Sequence, residues 1–230
     1  MKIYLRDLNE KVVEAWKGQF DNCPDFEVSC GDIFGGPKAD AIVSPANSFG
    51  FMDGGIDAAY EKRFGEELAK KLRGIITDWY DGELMVGQAV ILPTGDEDYP
   101  YLISAPTMRV PGVVKNTVNA YLAFRATLKA VRDWNDAPKN SYKQINSILC
   151  PGLGTAIGMI HPFACARQMF EAYQAMVRGK RLQPRDCAEI WYNQQELLGW
   201  PPYELQVDGR DIVNQKEKGE VDLWNGSDVQ

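Results

Sequence analysis

The sequence predicts a layered α/β/α domain on a largely parallel sheet. Three observations carry this. Short strand-like runs alternate with longer helix-like segments along the first 192 residues. Two of the runs, 39–44 and 145–150, are apolar enough for strands buried on both faces. The chain has 230 residues, 45% hydrophobic and 25% charged, which suits one globular domain that buries most of its surface.

The elements follow in order. Residues 2–5 read as a strand, and Asn9 can cap a helix over 10–20. Residues 26–30 form a short strand, and 39–44 (ADAIVS) a central one. Residues 55–79 are mostly helical. Two strands are expected at 88–92 and 101–105, a long helix at 117–134 and a buried strand at 145–150. Over 161–177, Ala166, Met169, Phe170, Tyr173, Met176 and Val177 mark one face of an amphipathic helix. Residues 188–192 are expected to form the last strand. Residues 193–230 carry a net charge of −5 against −2 for the preceding 192, and read as an acidic C-terminal extension with Trp200, Pro201 and Tyr203 docking back. The expected division is therefore a domain over 1–192 and an extension over 193–230.

Composition excludes several classes. No apolar run approaches the ~20 residues of a membrane span. The opening MKIYLRDLNE lacks the apolar stretch of a signal peptide. A net charge of −7 argues against non-specific nucleic-acid binding. Five cysteines, at 23, 30, 150, 165 and 187, show no C-x-x-C spacing, and there is one histidine. No metal site and no cofactor are expected, Cys30, Cys150 and Cys187 read as small core residues, and the compartment reads as reducing and cytoplasmic.

Parallel sheets bind ligands at the carboxyl ends of their strands, so the loops after Ser44 and Cys150 are the first candidates. The first runs from Ser44 through Asn47, Gly54 and Gly55 to Asp57 and enters a helix. Its glycines let backbone N–H groups approach a phosphate, and Asn47 suits a sugar hydroxyl. Asp57 is either a favourable first-turn acid or a functional carboxylate. The second loop places Gly152, Gly154, Thr155, Ala156, Ile157 and Gly158 between a buried strand and a helix. It is a phosphate cradle by composition, and fits neither the P-loop nor the dinucleotide fingerprint. Asp32, with Ile33, follows the strand at 26–30, where an Asp is a turn former, a cap or the acceptor for an exocyclic amine.

Taken together, these three segments resemble the macro domain, an ADP-ribose-binding module, over about residues 26–192. Gly31-Asp32-Ile33 is similar to the family's Asp-Ile pair, in which the Asp holds the adenine amino group. Residues 40–47 with Gly54, Gly55 and Asp57 are similar to its first loop, and 151–158 to its diphosphate-binding second loop. The departures are Ser44 where the family usually has a first Asn, Met52-Asp53 in place of two glycines, and Ile157 where an aromatic is often found. The pattern looks like a divergent bacterial or phage-type branch.

The resemblance implies a three-layer α/β/α fold with a mixed, largely parallel sheet. It implies a partner that is ADP-ribose or an ADP-ribosylated molecule, bound without metal or cofactor. Asn47 and Asp57 would be the catalytic pair if the protein hydrolyses a bond at the distal ribose: an ADP-ribosyl ester, an O-acetyl ester or a terminal phosphate. The other outcome is a reader or sensor without turnover. At the end of the last expected strand, Trp191 or Tyr192 would either stack on the base or cap the core as an ordinary aromatic, and Tyr192 is the ligand candidate. His161 and Arg109 are further candidates, and each also has an ordinary reading as a helix-start residue or a solvated cation.

Overall fold

Among the described residues, six strands form one sheet: Lys2–Asp7 (β1), Phe26–Cys30 (β2), Ala41–Ser44 (β3), Val90–Pro93 (β4), Tyr101–Ser104 (β5) and Ser147–Cys150 (β6). The structure is a computed structural model and describes residues 1–137 and 143–199. Strand order is β2-β1-β6-β3-β5-β4, every pairing parallel except β4 with β5. The sheet is thus mixed and mostly parallel, as expected. β6 is inserted between β1 and β3, pairing Ile3 with Ile148 on one side and Ile42 with Leu149 on the other. Asp40 staples this junction, its carboxylate accepting from the Asn146 and Ser147 N–H groups at 2.8 and 2.9 Å.

Parallel neighbours require crossover connections, and the helices supply them. Glu10–Phe20 (α1), Asn119–Asp136 (α4) and Pro162–Met176 (α5) cover one face. Gly55–Phe64 (α2) and Glu66–Trp79 (α3) cover the other. Side chains alternate between the faces along each strand. Ile3, Leu5, Ala41, Val43, Ile103 and Ile148 pack with Trp16, Phe124 and Tyr173. Ile42, Leu102 and Leu149 pack with Tyr60, Leu72 and Ile76. Asn9 caps α1, its Oδ1 accepting from Lys11 N–H at 3.0 Å.

The structure corrects several expectations. The helix expected over 55–79 is two, because Gly65 sits at φ +86° and turns the chain between α2 and α3. The strand expected at 188–192 is helix Cys187–Leu198 (α6). Asp186 accepts from the Glu189 N–H at 3.0 Å, and Gly199 closes the helix in the left-handed conformation. These end signals outweigh the strand preference of Ile190, Trp191 and Tyr192. The chain divides into two compact units, Met1–Leu182 and Gln183–Gln230, and α6 runs through the boundary expected at 192/193. Trp200, Pro201 and Tyr203 lie outside the described residues. Cys150 is buried, but Cys30 and Cys187 are exposed and are not core residues. Among the described residues no helix is long and apolar enough to cross a membrane, and no three His, Cys, Asp or Glu side chains form a metal-ligating group.

Candidate functional site

The parallel strands all run toward one edge of the sheet, and a cavity of about 360 Å³ lies there. Its wall is built from the segments that follow β1, β2, β3, β5 and β6. Asp32, Ile33, Asn47, Gly54, Gly55, Asp57, Gly152, Gly154, Thr155, Ala156, Ile157 and Gly158 all line it. Sequence reasoning therefore drew together residues 126 positions apart. Tyr192 is the exception. Its assignment rested on a strand end, and it sits 41% exposed on α6 in the second unit.

The second loop is organised by its own backbone. Ile160 N–H donates to Gly154 O at 2.9 Å, Met159 N–H to Ala156 O at 3.0 Å, and Val114 N–H to Gly158 O at 2.8 Å. Asp7, at the end of β1, accepts from Gly152 N–H at 2.9 Å and ties the loop's root to the sheet. Among the described residues, the N–H groups of Thr155, Ala156, Ile157 and Gly158 have no partner. Successive free amides of this kind form a nest for an anion.

In the first loop Asn47 works on its own chain. Its Oδ1 accepts from Phe49 N–H at 3.0 Å and Phe51 N–H at 3.4 Å, and its Nδ2 donates to Phe51 O at 2.8 Å. One Nδ2 hydrogen is left for a ligand. This arrangement presents Phe51, half-exposed in the cavity wall with the Arg73 guanidinium 5.4 Å from its ring centre. Beyond it, Gly54 precedes α2 as an N-cap with no side-chain hydrogen bond, and among the described residues the helix's first N–H groups have no partner.

Asp57 lies in the first turn of α2, buried at 7% exposure. Ser44, at the end of β3, donates to its Oδ1 at 2.6 Å. A helix start favours an ionised carboxylate, yet burial pushes the Asp57 pKa up to about 6. The Ser44 hydrogen bond opposes that shift and the nearby Asp53 charge adds to it. Desolvation outweighs the helix start: the group stays mostly ionised at pH 7, as expected, but its pKa stands well above that of a free carboxylate.

Asp32 is a cap. Its Oδ1 accepts from Phe34 N–H at 2.9 Å and caps the 3-10 turn Ile33–Gly35, while its second oxygen has no partner among the described residues. His161 is the N-cap of α5, with its ring stacked on Phe163. Arg109 is held by Glu83 at 2.7 and 3.1 Å. Neither lines the cavity.

Sequence reasoning missed Arg6, Asp7, Phe51, Met108 and Pro111, all in the cavity wall. The signal for Arg6 and Asp7 was available: they end a parallel strand, and the strand-end rule applies to β1 as it does to β3 and β6.

The Macro domain family model matches residues 43–169. An uncharacterized protein of Aeropyrum pernix is 32% identical over 157 residues, covering 66% of this chain and 72% of that protein. Another, of Aquifex aeolicus, is 32% identical over 133 residues, covering 58% and 72%. Among solved structures, the macrodomain of Mycobacterium tuberculosis DarG superposes with a TM-score of 0.52 at 20% identity, covering 64% of this chain and 88% of its own. A variant Oceanobacillus iheyensis macrodomain with ADPR gives 0.52 at 16% identity, covering 73% and 90%.

Proposed function

Because the chain belongs to the macro domain family, we propose that its cavity binds ADP-ribose or an ADP-ribosylated molecule and that the protein hydrolyses a bond at the distal ribose. One observation carries this reading. A nest of unpartnered amides, Asp32's free carboxylate oxygen and a carboxylate of pKa about 6 all line a single cavity. A nucleoside diphosphate sugar has a part for each: a diphosphate for the amides, a base amine for Asp32, and a reacting sugar near Asp57. The solved neighbour with ADPR supports the same ligand class.

The chemistry follows from Asp57. A base with a pKa of about 6 is mostly ionised at pH 7 and still basic enough to take a proton from water as the water oxygen attacks the carbon or phosphorus of the scissile bond; that atom's bond to the leaving oxygen breaks, and the departing oxygen takes up the proton. Ser44 fixes which carboxylate oxygen faces the strand. The second-loop amides hold the diphosphate and so fix the reacting carbon. Calorimetry with ADP-ribose tests binding. Single-turnover hydrolysis of mono-ADP-ribosylated protein and of O-acetyl-ADP-ribose tests turnover. Absence of ADP-ribose binding defeats the whole reading.

A reader without turnover is the second reading, and one observation favours it. Asn47's carbonyl is fully engaged by its own loop, which leaves little of that side chain to orient a sugar. Tight ADP-ribose binding with no turnover on either substrate would select it. The cytoplasmic location and reducing compartment belong to the same proposal.

A further inference from the structure

Arg6 is at the end of β1, beside β2, and lines the cavity next to Asp32. Its Nε donates to the Asp32 carbonyl oxygen at 2.7 Å and its Nη1 to Ser29 Oγ at 2.8 Å. Two hydrogen bonds in the guanidinium plane leave that plane no freedom to rotate. The backbone makes room for it. A Cβ on Gly31 would stand 2.5 Å from Nη2, and one on Gly36 would stand 2.8 Å from Nε. Nη2 has no hydrogen-bond partner among the described residues. A long cationic side chain has thus been fixed by two hydrogen bonds, in a cavity wall, with an amino edge unused.

The surroundings say what such a plane meets. Asp32 supplies an acceptor for an exocyclic amine, and Ile33 an apolar surface beside it. The only aromatic ring among the described cavity-lining residues is Phe51, which follows β3, while Asp32 follows β2; β1 and β6 stand between those strands. Phe51 therefore belongs to another part of the wall. Among the described cavity-lining residues beside Asp32, the flat group is Arg6.

Resting on the nucleotide-binding reading above, we propose that Arg6 contacts the base directly, its guanidinium serving as the surface on which the purine stacks. Guanidinium planes stack on bases well, and a plane that is already immobile loses little freedom when the base arrives. Asp32 then reads the amine, and Arg6 holds the ring.

The test compares ADP with ribose 5-diphosphate, which lacks the base, by calorimetry on the full chain. Arg6→Met should weaken ADP about tenfold and leave ribose 5-diphosphate unchanged. An equal loss on both ligands would place Arg6 on the diphosphate and overturn the proposal. Arg6→Lys keeps the charge and a donor for the Asp32 carbonyl but has no plane. It should lose as much ADP affinity as Arg6→Met, and it decides the matter if the Met variant fails to fold. Rescue by Lys would show that charge, not the plane, is what matters. In an Asp32→Ala background, Arg6→Met should still weaken ADP severalfold. A cost that vanishes there means Arg6 only positions Asp32. If the unaltered chain binds neither ADP-ribose nor ADP, the function above fails and this inference with it; binding that Arg6→Met leaves untouched defeats the inference alone.

Discussion

A Cβ built on Gly54, in the first loop, would meet no atom within 4 Å; one built on Gly158, in the second, would stand 2.5 Å from the Gly154 carbonyl oxygen and 2.8 Å from Val114 Cγ2. The two loops wall one cavity and both are rich in glycine, but the glycines answer different demands. In the second loop they let the chain fold back on itself, and the free amides are a product of that packing. In the first, Gly50 packs against Leu72 and Ile76, but Gly54 and Gly55 leave space open, and a side chain, Asn47, does the folding. The difference teaches that glycine composition alone does not identify the surface a ligand touches.

The largest effect expected is on rate. If chemistry belongs to the first loop, Asp57→Ala should lower single-turnover hydrolysis by about 10²–10⁴ while ADP-ribose affinity changes far less. Turnover that survives would move the activated water elsewhere and remove the functional half of the contrast.

Next come the glycines. Gly158→Val should destabilise the fold by roughly 3 kcal/mol, because its Cβ has only backbone and Val114 to displace. Gly154→Val is no cleaner a probe, since Gly154 sits at φ +69° and its Cβ would stand 2.8 Å from Ile160 Cδ1. Gly54→Val, with extended backbone and open space, should abolish ADP-ribose binding by about a hundredfold or more and change thermal unfolding little. Denaturation beside calorimetry checks all three, and a folded, fully binding Gly54→Val would erase the distinction between the loops.

A comparable effect should appear in stability against pH. The folded-state pKa of Asp57 is raised from 3.8 to about 6. Its contribution to stability is therefore whole below about pH 4 and is lost as pH rises through about 6. Asp57→Asn cannot ionise and escapes that loss. The variant should match the unaltered protein near pH 4 and exceed it by up to about 3 kcal/mol above pH 6.5. Urea titrations across that range measure it, and a difference independent of pH would show that the carboxylate is not desolvated. The smallest effect is expected at Asn47. Asn47→Ala frees the turn that carries Phe51 and should cost about 1–2 kcal/mol of stability, with a matching loss of ADP-ribose affinity.

Most of the sheet could be read from the chain because the continuous apolar runs at 41–44 and 147–150 are a local property. The failures had physical causes that local patterns do not carry. Ile190, Trp191 and Tyr192 look like a strand until Asp186, Glu189 and Gly199 are weighed as helix ends. Asp57 looks like a carboxylate of ordinary pKa until its burial is known, and Asn47 looks free for a ligand until its hydrogen bonds are counted. Arg6 looks like any strand residue. Only the approach of Gly31 and Gly36 from the β2–β3 connection gives it a fixed place, and that approach is tertiary.

The position of β6 has a consequence for how the protein is made. β1 and β3 do not pair with each other; in the order of synthesis both wait for residues 147–150 to come between them. Until then β1 and β3 each present an apolar, unpaired edge, and the cavity lacks its second loop altogether. Contacts of such long sequence separation make folding slow, and open edges during that delay are where chains stick to one another. A nascent chain stalled before residue 147 should therefore bind no ligand and should depend on chaperones, whereas one carried past α5 has every strand of the sheet in hand.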